Sequence, residues 1–114
     1  VVVTLENLDL DTIVHEGAHT AQRQALAADF FSNVNDPAYD LKQSLLNIQK
    51  YDRENDAYRT ESYYVQYRGG ETQIWNKGWS EATRQTKINN KIADGYKDSK
   101  GKSITPNNRG ERMY

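Results

Sequence analysis

The only histidines of this sequence, His15 and His19, stand four residues apart, with Glu16 directly after the first; His15-Glu16-Gly17-Ala18-His19 is an H-E-x-x-H sequence. On a helix, residues four apart lie one above the other on one face, so both imidazoles can reach a single ion at about 2.0–2.1 Å from each nitrogen. A strand would also send them to one face, but too far apart. Glu16 points beside the ion rather than at it, where it can take a proton from a coordinated water, and is the expected general base. Zinc lowers the pKa of such a water from about 15.7 towards roughly 7 and polarises the carbonyl under attack. A chance match to this pattern in a chain of this length is on the order of one in a few hundred, which favours metal chemistry over an incidental pair. Gly17 costs a helix about 1 kcal/mol relative to Ala and is expected to allow a close backbone approach in return.

A catalytic zinc takes three protein ligands and leaves a fourth position open. The chain has no cysteine and no further histidine, so the third ligand must be a carboxylate. Asp52, Glu54, Asp56 and Glu61 are the candidates. Asp56 or Glu61 could instead hold a ligating imidazole through its free N–H. Tyr51, Tyr58, Tyr63, Tyr64 and Tyr67 surround these acids, and a tyrosine hydroxyl is a suitable donor to an oxyanion as a tetrahedral intermediate forms. A Ser/His/Asp triad is excluded, because both histidines are committed to the metal.

The stretches His15 to Gln22 (HEGAHTAQ) and Glu54 to Ala57 (ENDA) resemble the pattern of compact bacterial gluzincins, in which H-E-x-x-H is followed on the next helix by E-x-x-A. The resemblance implies Glu54 as third ligand to Zn2+, a small zincin-like domain and hydrolysis of peptide bonds in a protein or peptide substrate. Such domains recur as C-terminal toxin modules of secreted bacterial polymorphic toxins. That setting implies delivery into a target cell as part of a larger polypeptide, and a cognate immunity protein as partner. The family pattern often has an acidic residue after the Ala, where this chain has Tyr58. Tyr58 lies one turn from Glu54 and is the expected oxyanion donor.

These residues need elements to carry them. The apolar spacing predicts a mainly α fold: an active-site helix, a second helix supplying the carboxylate, and a short N-terminal strand or small sheet. Val1 to Leu5 is β-branched and reads as the strand. Asp9 or Asp11 caps a helix from Thr12 to about Phe30, with Ile13, Val14, Ala18, Ala21, Ala25 and Ala28 as its narrow small-residue face. Asn33 to Pro37 is a turn, with Asp36 as cap and Pro37 at the first position of a further helical region. From Ala38, the positions Leu41, Leu45, Ile48, Tyr51, Tyr58 and Val65 mark one long helix or two, ended by Gly69-Gly70. A third helical region runs from Thr72 to Ala93, its start weakened by Gly78, with Trp75 and Trp79 read as core and Gly95 as the stop. Residues 96–114 read as a loop or mobile basic tail, with local positive charge from Lys97 to Lys102 and at Arg109 and Arg112.

The chain has 114 residues, enough for a single domain over 1–114. Apolar residues make up only 36%, so a bound metal or a partner chain is a plausible extra source of stability. A formal charge of −1 gives no footprint for nucleic acid. No apolar run is long enough for a membrane span, and no signal peptide precedes the first helix. The start at Val1 suggests a piece of a longer polypeptide. Two other functions fit the same residues: a metal-dependent amidase acting on cell-wall or other non-protein amides, and a non-catalytic module in which the metal is structural.

Overall fold

A computed structural model describes residues 9–40 and 47–112. In chain order the helices among the described residues are α1 (Leu10–Ser32), α2 (Lys50–Tyr67) and α3 (Glu81–Gly95). Among the described residues, β pairing is confined to isolated bridges at Gln49–Arg112, Thr72–Trp75 and Lys97–Ser103. The domain is therefore mainly α, and the strand expected over Val1 to Leu5 lies outside the described residues. α2 is the central element, packed against α1 on one side and α3 on the other. Cross-contacts run from Asp11–Arg68 through His15–Glu61 to His19–Glu54, so α1 and α2 are antiparallel.

The start of α1 is fixed by Asp9, whose side chain accepts from Asp11 N at 3.0 Å while its carbonyl accepts from Ile13 N at 3.0 Å. Gly17 makes no close backbone approach: a Cβ built there meets nothing within 4 Å. The helix expected from Ala38 does not begin there. Asp36 instead closes a turn, its side chain accepting from Ala38 N at 3.0 Å and its N–H donating to the Asn33 carbonyl at 2.9 Å. Leu41 and Leu45 lie outside the described residues.

α2 begins at Lys50 without a side-chain cap at Gln49. Its first amides are satisfied by the returning C-terminal chain: Lys50 N donates to Glu111 O and Tyr51 N to Arg109 O, both at 3.1 Å. It ends where Gly69 adopts a left-handed φ of 73° and Gly70 N donates back to Val65 O at 3.0 Å. α3 starts at Glu81 rather than Thr72, because Ser80 caps it through a 3.1 Å bond from Thr83 N and Gly78 ahead of it has φ 91°. Trp75 and Trp79 thus belong to the connecting loop.

The apolar core is Tyr51 of α2, Ile88 and Ile92 of α3, and Ile104, with Tyr58 and Tyr96 packed against it. Residues 96–112 form neither helix nor strand, yet Ile104 within them is fully buried and bonded through its N–H to the Tyr96 carbonyl at 3.2 Å. Arg84 is also fully buried. Its guanidinium lies 3.8 Å from the Tyr63 ring centre and 4.1 Å from that of Trp75, and it donates to Ser62 Oγ at 2.8 Å and Gln66 Oε1 at 2.5 Å. That cation fastens the Trp75 loop to α2 and α3.

Candidate metal centre

On α1, the deeply buried side chains among those described are both polar, Asp11 and His15. Helical periodicity puts Asp11, His15, His19 and Gln22 on the face toward α2, and each has a partner there. Asp11 accepts from Arg68 Nε at 2.8 Å. His19 Nε2 lies 3.1 Å from Glu54 Oε1, and His15 Nε2 lies 3.4 Å from Glu54 Oε2. The two imidazole centres are 5.0 Å apart, set nearly edge to face. One ligand atom from each of His15, His19 and Glu54 can be chosen so that all lie within 4.8 Å of one another.

Glu54 is 3% exposed, and its Oε2 has no hydrogen-bond partner. A buried carboxylate oxygen left this way costs free energy, and a cation between it and the imidazoles would satisfy it. Two nitrogens and one carboxylate form the donor set of a zinc site, so the residues present fit such an ion.

The electrostatics agree. Burial alone would lower the pKa of His15, but the carboxylates of Glu54 and Glu61 outweigh it and raise it to about 9. Burial would raise the pKa of Glu54, yet His15, Tyr96 and His19 hold it below the ordinary carboxylate value. Without metal, a proton on His15 is therefore the cation that this cluster holds at neutral pH.

Of the four acids considered, Glu54 alone lies between the histidines. Glu61 Oε1 stands 3.1 Å from His15 Nδ1, off the line of a hydrogen bond but close enough to orient the ring from behind. Asp52 pairs with Arg109 at the surface, and Asp56 is exposed beside Thr60 on the rim of a shallow groove lined by Val14, Ala18, Ala21 and Ala25. Glu16 is exposed, one residue beyond His15. Tyr58 packs its ring edge-on to His15, with centres 4.4 Å apart.

Sequence reasoning missed two residues. Tyr96, placed in the tail, packs against the core as Tyr58 does, and its phenol helps to hold the Glu54 carboxyl below its ordinary pKa. Burial raises the pKa of both phenols, so both stay protonated donors. Gln22 meets His19 Nδ1 at 3.0 Å. Its spacing of three from His19 on one helix face was the available signal; Tyr96 had none, since it follows a helix stop.

No family model, curated protein or solved structure matches the chain.

Proposed function

We propose that this protein is a zinc-dependent hydrolase of peptide bonds, with His15, His19 and Glu54 as ligands and Glu16 as general base. The observation that carries the reading is the meeting of an H-E-x-x-H pair with a buried, unsatisfied carboxylate oxygen from a second helix. Zinc held there supplies a Lewis acid that makes water nucleophilic near neutral pH. Manganese, cobalt or nickel can occupy the same donors.

The remaining chemistry belongs to the side chains. Glu16 sits about 100° around α1 from His15, and Tyr58 about 40° around α2 from Glu54. Because the helices are antiparallel, both rotations lead to the same side of the cluster. Base and phenol thus flank one approach to it. Glu16 accepts the proton lost by water and passes it to the leaving amine. The Tyr58 hydroxyl is the proposed donor to negative charge on the attacked carbonyl, supported by the packing of its ring against His15. The effector setting implied by the gluzincin resemblance is part of the same proposal.

A second reading, a metal that is purely structural, is favoured by the polar make-up of the buried α1 face. Glu16→Gln separates the two. Zinc content measured on the purified variant should stay at the wild-type level while hydrolysis of a peptide library falls about 10²–10⁴-fold. Zinc-loaded wild-type chain that cleaves nothing would leave the structural reading, and wild-type chain that binds no zinc would remove both.

A further inference from the structure

We infer that Gln22 is a positioning residue that sets the tautomer of His19, leaving its Nε2 free as the nitrogen that binds metal. The Arg53 carbonyl can only accept, so the Gln22 atom 3.0 Å from it is the amide nitrogen. That fixes the orientation of the side-chain amide. Gln22 Oε1 then faces His19 Nδ1 at 3.0 Å, and because this oxygen carries no hydrogen, Nδ1 must carry the proton. In the neutral ring the lone pair therefore sits on Nε2, the nitrogen 3.1 Å from Glu54 Oε1 and inside the ligand cluster.

A helical carbonyl has a second lone pair beyond its bond within the helix, so Arg53 can accept from Gln22 without disturbing α2. The relay from Arg53 carbonyl through the Gln22 amide to His19 also ties α1 to α2 one turn beyond the cluster. His15 differs. Its Nδ1 faces the carboxylate of Glu61, so one ligand is backed by a charge and the other by a neutral amide. Only the last step, metal on Nε2, rests on the function proposed above.

The test uses the whole chain and two variants. Long-range 1H–15N spectra of the metal-free wild type, taken where the His19 ring is neutral, should show the Nδ1–H form. Gln22→Leu should give a mixture of tautomers and a zinc affinity lower by about 10–100-fold in competition with a chromophoric chelator. Gln22→Glu still accepts from Nδ1–H but cannot donate to Arg53; it should keep the wild-type tautomer and bind zinc at least as tightly. An Nε2–H ring in the wild type would overturn the inference, as would unchanged zinc affinity in Gln22→Leu. A wild-type chain that takes up no zinc would instead strike at the metal reading, and the tautomer measured without metal would still decide the role of Gln22.

Discussion

α2 meets its two helical neighbours with different chemistry. Toward α3 and Ile104 it presents Tyr51 to a cluster of fully buried isoleucines, and the buried Arg84 of α3 is satisfied there by Ser62 and Gln66. Toward α1 it presents Glu54, Glu61 and Arg68, and the groups it buries there are a carboxylate and an imidazole. Apolar burial is indifferent to protons and cations, whereas a buried carboxylate and imidazole are satisfied only in particular protonation or metal states. The first contact should hold under any mild condition. The second should respond to pH and to metal, so the seat of the proposed chemistry is also the adjustable joint of the fold.

That contrast can be broken in four ways. The largest effect is expected on the apolar side: Ile88→Ala should lower unfolding free energy by about 2–5 kcal/mol in chemical denaturation, by the same amount with and without zinc. A loss that zinc repairs would show that the two faces are coupled. Next, zinc at a hundredfold excess over its dissociation constant should stabilise the wild type by about 2.7 kcal/mol, read as a shift in the denaturation midpoint. Glu54→Gln should abolish that shift, and Glu16→Gln should retain it.

The third effect is that of pH. The pKa of His15 is raised from 6.5 to about 9, so its contribution to the metal-free fold is fully present below about 6.5 and is lost as pH rises through about 9. Zinc must displace that proton. Its affinity should therefore climb about tenfold per pH unit between pH 6.5 and 8, and calorimetry in buffers of different ionisation enthalpy should find a proton released on binding. An affinity flat across that range would mean that His15 is neutral before the metal arrives. The smallest effect is expected from Asp11→Asn, which weakens the pair with the exposed Arg68 and should move the denaturation midpoint least of the four.

Part of the candidate cluster was readable in the sequence: His15 and His19 share a helix face at spacing four, whereas Glu54 was one of four acids and was singled out only by the gluzincin resemblance. The span of α1 was legible from the same helical spacing. Position within an irregular stretch was not. Ile104 is one apolar residue in a polar run, and nothing local says that it plugs the core; Gly110, with φ 69° and its Cβ position 3.0 Å from Ile104, is part of what folds that run back. Tyr96 is the C-cap of α3, and its place near Glu54 follows from the packing of α3 on α2. Asp36-Pro37 carries the local signature of a helix start, but the Asp36 side chain closes a turn instead. Arg84 stands one turn before Ile88, on the buried face of α3, but the rings of Tyr63 and Trp75 that receive its guanidinium lie on other elements.

The turn at residues 33–38 is mostly exposed and lies between the histidines and Glu54 along the chain. A protease cut there would leave the fragment bearing α1 with no covalent link to α2 and α3. If the proposed ion binds, it should strengthen the contact between the nicked halves, so that they co-elute on a sizing column in zinc more fully than in a chelator.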